Sequence, residues 1–113
     1  MSKLFAVPVS ELKDENSKVD ERFGRASGYL IFDENGNIVK KLSNENKDAA
    51  HGAGTGAAAL LTSNKVTDAV ARSFGPKASD VLKASNVTLW QADSSEIAKE
   101  LFENWKNNKL NRA

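Results

Sequence analysis

The sequence predicts an α/β domain, a mixed five-stranded sheet with helices on both faces. Three observations carry that expectation. Apolar strand-like runs alternate with helical segments through the second half of the chain. An Asn-Gly pair separates two strand-like runs in the first half. Three glycine-centred runs lie beside expected strands or at expected helix starts. Strands that alternate with helices pair in parallel through crossovers, and a hairpin adds an antiparallel part.

The elements follow in order. Leu4-Phe5-Ala6-Val7-Pro8-Val9 is a near-continuous apolar run, as in a strand buried on both faces. Pro8 has no N–H for a ladder, which puts it near the strand's carboxyl end. Residues 10–19 are polar, carry no helical stripe and read as a mobile surface loop. Tyr29-Leu30-Ile31-Phe32-Asp33 and Ile38-Val39-Lys40-Lys41-Leu42 are strands joined by a tight turn at Asn35-Gly36. The second has the polar face of an edge strand. Residues 44–50 form a polar linker. Ala57-Ala58-Ala59-Leu60-Leu61 is helical, begins within the preceding glycine run and stops at Asn64. Residues 67–71 form a strand that position supports better than composition does. Pro76 suits the first position of a helix whose small and apolar face is Ala78, Val81, Leu82 and Ser85. Val87-Thr88-Leu89-Trp90 is the fifth strand. Asp93, with Glu96 three residues on, reads as the N-cap of a last helix with the stripe Ile97, Ala98, Leu101, Phe102 and Trp105. The tail after Asn107 is polar and expected to fray.

Composition narrows the function classes. A length of 113 residues suits one domain, residues 1–113, and 40% apolar residues suit one ordinary core. Sixteen basic against fifteen acidic residues leave a net charge of +1. Such a balance gives no general attraction to nucleic acid or membrane surfaces. The amino terminus lacks the pattern of a signal peptide, so a cytoplasmic location is expected. The chain has no cysteine, so it offers no disulfide, thiol nucleophile or conventional cluster cage. One histidine without a Ser or Cys partner in a recognised motif makes an enzyme the least supported class.

The glycine runs concentrate the remaining chemistry. In His51-Gly52-Ala53-Gly54-Thr55-Gly56, alternate glycines let backbone N–H groups approach a ligand, at a helix start that favours anions. The spacing is neither a dinucleotide fingerprint nor a phosphate-binding Walker loop. In Phe74-Gly75-Pro76-Lys77, a second helix start aims at the same sheet edge, with Arg72 just upstream. In Lys18-Val19-Asp20-Glu21-Arg22-Phe23-Gly24-Arg25, two arginines can grip oxyanions, and Asp20 and Glu21 can pair with them. Phe23 either covers a ligand or anchors the loop. The expected pocket for an anion therefore uses Arg22, Phe23, Gly24, Arg25, Gly52, Gly54, Thr55, Gly56, Arg72, Gly75 and Lys77. His51 could add a metal–nitrogen bond or a switchable proton to it.

The three runs in this order resemble the dinitrogenase iron–molybdenum cofactor biosynthesis family, small NifX-like proteins and the C-terminal part of NifB. The resembling residues are Val7-Pro8-Val9, the stretch Ser17 through Ala26, His51-Gly52-Ala53-Gly54-Thr55-Gly56-Ala57-Ala58, and Gly75-Pro76-Lys77-Ala78. The resemblance covers residues 3–106. It implies a ribonuclease-H-like three-layer fold without nuclease activity. It also implies transient carriage of an iron–sulfur or iron–molybdenum cluster or precursor, with cofactor-biosynthesis proteins as partners. Nitrogenase-branch members often carry His before the Phe-Gly pair. This chain has Arg22 there, which leaves His51 as the imidazole. It also has Arg72-Ser73 where a glycine-containing stretch is common. Two other readings use the same loops: a module for a phosphate-bearing metabolite or nucleotide, and a protein-interaction domain with no metal ligand.

Overall fold

The computed structural model describes residues 2–45, 47–49 and 51–113. The polar linker expected over 44–50 is therefore described except at Asn46 and Ala50, which lie outside those residues, as does Met1. The elements are β1 (Phe5–Val9), β2 (Gly28–Phe32), β3 (Ile38–Ser43), α1 (Ala53–Ser63), β4 (Asp68–Ala71), α2 (Pro76–Ala84), β5 (Thr88–Gln91), α3 (Ala98–Lys106) and β6 (Asn111–Arg112). The sheet order is β3-β2-β1-β4-β5-β6. β1, β4 and β5 are parallel, and β2, β3 and β6 run antiparallel to their neighbours.

The sheet has six strands rather than the expected five. The tail does not fray, because Leu110 is buried and draws Asn111 and Arg112 alongside Gln91 and Trp90. Arg112 then lies over the Trp90 ring, 5.0 Å from its centre.

Alternation along β1 divides the core in two. Ala6 joins Ala69, Ala71, Ala57, Ala58, Leu61 and Leu82 in the cluster beneath α1 and α2. Phe5, Val7 and Val9 join Leu101, Phe102 and Trp105 beneath α3. Phe5 stacks on Trp105 with ring centres 4.5 Å apart. On the first face the alanines of β1 and β4 leave room for α1 and α2, and on the second Phe5, Phe32, Phe102 and Trp105 pack together.

Pro8 explains the shape of the carboxyl edge. β1 pairs with β4 only through Phe5 and Ala6. Farther along, residues 18–20 take the place of β4 beside β1. Ser10 N donates to Lys18 O at 2.9 Å, and Asp20 N donates to Pro8 O at 3.0 Å. The N–H that proline lacks therefore interrupts only a short bridge, not the main ladder. β1 and β4 part at this point, and the gap becomes a cleft.

Three local expectations change. Residues 10–19 are not a free loop. Val19 N donates to Glu96 O at 2.8 Å, and the otherwise orphaned N–H groups of Ala98 and Lys99 donate to Ser17 O and Glu15 O at 2.9 and 2.8 Å. The segment thus closes the amino end of α3, which begins at Ala98. Asp93 is accordingly not the N-cap: its carboxylate accepts Ser95 N at 2.8 Å and Asn104 Nδ2 at 2.7 Å. Glu100 reaches back instead, accepting from Glu96 N and Ile97 N at 3.3 and 3.4 Å.

The hairpin is also wider than a two-residue turn. Its connection runs through residues 33–37, because the Asp33 carboxylate gathers the N–H groups of Asn35 and Asn37, each at 2.9 Å. The Asn37 N–H is the main cause holding Asp33 below the usual carboxylate range. The unfolded chain has the higher affinity for that proton. The contribution of Asp33 to hairpin stability is therefore full above the unfolded value of about 3.9 and is lost as pH falls through the folded one. An NMR titration should give Asp33 a lower midpoint than an aspartate in an unstructured peptide. Asp33→Ala should abolish the acid-linked loss of Asn37 amide protection, read as the exchange rate relative to that of an unstructured peptide at the same pH.

Candidate functional site

The site begins at a contact between two glycines. A Cβ placed on Gly24 would fall 2.8 Å from both Cα and N of Gly54, well inside van der Waals contact. The first glycine run is thereby pressed against the opening turn of α1. A Cβ on Gly54 would in turn meet Ala78 Cβ of α2 at 3.5 Å, an ordinary contact. Gly24, Gly54 and Ala78 thus join all three runs in sequence.

Behind that contact, the loop over residues 20–26 is anchored from within. Phe23 is 2% exposed and packs against Tyr29 and Phe74, with ring centres 5.6 and 5.1 Å away. Of its two expected roles, it takes the anchor, and Phe74 supplies the aromatic wall beside Gly75. The buried Tyr29 hydroxyl donates to Phe23 O. Burial, and secondarily the charge of Asp20, pushes the Tyr29 pKa well above its usual value, so the hydroxyl stays a donor. Asn44, 3% exposed, donates from Nδ2 to Gly24 O at 3.0 Å and Ala26 O at 2.9 Å. Asn44 has no local sequence signature, since its partners lie some twenty positions upstream.

The two helix starts open side by side. Gly52 caps α1 at φ 76° and ψ 12°, and Gly75 caps α2 at φ 75° and ψ 154°. Neither helix has a side-chain cap. Among the described residues, no acceptor meets the N–H groups of Gly54, Thr55 or Lys77. Gly56 differs from expectation: its N–H donates to Gly52 O at 2.8 Å as the first bond of α1 and is not free for a ligand. A shallow cleft of about 250 Å³ joins the two starts, lined by Gly52, Gly54, Thr55, Phe74, Gly75 and Lys77 among others.

That cleft continues past Gly52 and Gly54 into a larger one of about 520 Å³, where Arg22, Gly24, Arg25, Glu21 and Ser73 contribute. Arg22 and Glu21 are shared with a third cleft of about 330 Å³, in the gap between β1 and β4, reached also by Ser10, Lys18, Arg72 and Glu96. Ser10, Ser73 and Glu96 escape sequence reading because only the fold brings them there. A site beyond the carboxyl ends of parallel strands, where connections leave in opposite directions, is where open α/β sheets hold ligands.

The cations are largely engaged. Asp20, 5% exposed, accepts Arg22 Nε at 3.2 Å and Nη2 at 3.3 Å. Arg22 is raised above its usual pKa, chiefly by the hydrogen bond to Asp20. Arg72 lies 3.8 Å from Glu21. Arg25 Nη1 donates to Lys47 O and Ala49 O at 2.9 and 3.0 Å, tying the linker before α1 to the first run. Lys77 is exposed at the start of α2. His51 is exposed, next to Gly52 in the chain but outside the linings of all three clefts. Among the described residues, no three His, Asp or Glu side chains gather as a metal-binding group. No helix there is long and apolar enough to cross a membrane.

The glycine contacts predict unequal costs. Gly24→Ala should destabilise by about 1–3 kcal/mol through overpacking against backbone that cannot rotate away. Gly54→Ala, at an ordinary contact in a helix, should be neutral or stabilising by up to about 1 kcal/mol. Thermal unfolding of the two variants beside the unaltered chain checks the order.

Comparison with known proteins places this geometry. An uncharacterized protein of Methanocaldococcus jannaschii is 29% identical over 102 residues, which is 86% of each chain. The apo form of the orange protein from Desulfovibrio gigas superposes with a TM-score of 0.90 at 24% identity, over 98% of this chain and 92% of that one. That likeness shows a shared fold. A candidate NifB protein from Thermotoga superposes with a TM-score of 0.82 at 30% identity, over 97% and 92% of the two chains. The model of the dinitrogenase iron-molybdenum cofactor family matches residues 1–108, and on that match the chain belongs to this family.

Proposed function

We propose that this chain is a small binding protein that carries an anionic iron–sulfur or iron–molybdenum cofactor, or its precursor, between the proteins that make and use it. One observation carries the reading within this family: Gly24 and Gly54 weld two loops into one wall, on which uncapped N–H groups of α1 and α2 meet Arg22, Arg25 and Lys77. Such donors suit sulfide or carboxylate groups on the outside of an assembled cluster. The strand order β3-β2-β1-β4-β5 supports the ribonuclease-H-like arrangement as scaffold.

The donor set also speaks for release. With no thiolate and one exposed imidazole, the chain offers a single strong metal ligand, His51, beside many hydrogen bonds. A cargo held that way exchanges readily. We assign Gly52, Gly54, Thr55, Gly75 and Lys77 to the cradle, Arg22, Arg25 and Arg72 to charge complementarity, and His51 to the metal.

Anaerobic titration with isolated iron–molybdenum cluster, followed by absorbance and EPR, tests the reading. The unaltered chain should bind one cluster, and His51→Ala should weaken binding roughly tenfold or more. Binding that ignores His51→Ala would remove the imidazole role, and absence of binding would remove the carrier.

The same uncapped helix starts favour a second reading, a phosphate-bearing metabolite or nucleotide. Its signature is a rise in Tm with inorganic phosphate or a nucleotide that survives chelation and His51→Ala.

A further inference from the structure

Asp20 has an unusual place for a carboxylate. It is 5% exposed, yet it stands at the edge of the clefts and faces a guanidinium whose side chain is 66% exposed. Its backbone is fixed, because Asp20 N donates to Pro8 O where β1 and β4 part. Its side chain makes three contacts with one residue: Oδ1 accepts Arg22 N at 2.8 Å and Nε at 3.2 Å, and Oδ2 accepts Nη2 at 3.3 Å. The carboxylate therefore sets both the backbone turn at Arg22 and the plane of its guanidinium.

Arg22 lines both the 520 Å³ cleft beside the glycines and the 330 Å³ cleft between β1 and β4. Its Nε and one Nη are spent on Asp20. The other Nη has no protein acceptor among the described residues. A guanidinium held by one edge has lost most of its rotamer freedom before a ligand arrives, and its remaining donors point in a fixed direction.

We propose that Asp20 is a positioning residue. It holds Arg22 at the wall shared by the two clefts, so that the anion is selected by hydrogen-bond direction rather than by net charge. The inference deepens the carrier reading and rests on it for the identity of the anion. The two alternatives for Asp20 differ in sign. If the carboxylate orients Arg22, its removal weakens anion binding. If it only cancels charge, its removal frees a cation and tightens binding.

Two measurements test this. The first needs no ligand: ¹H–¹⁵N spectra of the arginine Nε–H groups. The unaltered chain should show an Arg22 Nε–H resonance shifted from the free-arginine position and slow to exchange. In Asp20→Ala, which removes both carboxylate oxygens and leaves the Asp20 N to Pro8 O bond that fixes the backbone, that resonance should move to the free position. An Arg22 signal that is the same in both proteins would overturn the proposal. The second is a double-mutant cycle read by titration with isolated iron–molybdenum cluster. Asp20→Ala and Arg22→Ala should each weaken binding by about tenfold, as for loss of a directed charge-assisted hydrogen bond, and the double variant should be no weaker than either. Tighter binding by Asp20→Ala, or an equal loss in the Arg22→Ala background, would overturn it. If the unaltered chain binds no cluster, the carrier reading fails, and the spectra alone decide whether Asp20 orients Arg22.

Discussion

The site depends on a close approach of two stretches of backbone. Gly24 lies so near the first turn of α1 that one methyl group would strike Gly54. A side chain at Gly24 would hold the loops apart, and the cleft would divide into separate surface dents. Two buried polar groups keep the approach in place from behind: the Tyr29 hydroxyl on Phe23 O, and the Asn44 amide on Gly24 O and Ala26 O. Removing such a partner leaves a buried carbonyl unsatisfied, which costs about 1–3 kcal/mol. Catalogues of site residues would omit Tyr29 and Asn44, yet the position of the glycines rests on them.

A second constraint comes from Pro8. It stands where β4 has left β1, so the sheet opens at its carboxyl edge without losing its main ladder. The freed edge is taken by residues 18–20, which deliver Asp20 and Arg22 to the opening. Residues 15–19 also satisfy the amino end of α3. One polar segment thus closes a helix on one core face and builds a cleft wall at the strand ends. The cations at this opening are partly offset within the protein, Arg22 by Asp20 and Arg72 by Glu21. The attraction for an anion then comes mainly from oriented donors and helix starts, whose strength depends on placement.

Much of the fold is legible in the sequence because the strands are short apolar runs with glycine or proline punctuation. Pro76 opens α2 and Asn64 closes α1 where residue chemistry places them. Long-range satisfaction of backbone groups is harder to read. Residues 10–19 look like a free loop because their partners, Glu96, Ala98 and Lys99, lie some eighty positions away. The tail looks frayed because a single buried leucine, Leu110, holds β6. Asp93 imitates a helix cap but closes a separate turn before α3. In the candidate site the glycines and arginines are visible as motifs. The free or engaged state of each N–H is not, as Gly56 illustrates: among the described residues the same glycine spacing gives a donor without a protein acceptor at Gly54 and an internal bond at Gly56.

The central claim is that one wall, built from three glycine runs, receives a metal-cluster cargo. Paramagnetic broadening of backbone amide signals during anaerobic titration with isolated iron–molybdenum cluster tests it most directly. Broadening should begin at Gly24, Gly54, Thr55 and Lys77 and spread outward from them. Broadening centred instead on the opposite end of the sheet, around Trp90 and Arg112, or confined to His51 with the glycine amides unchanged, would contradict it.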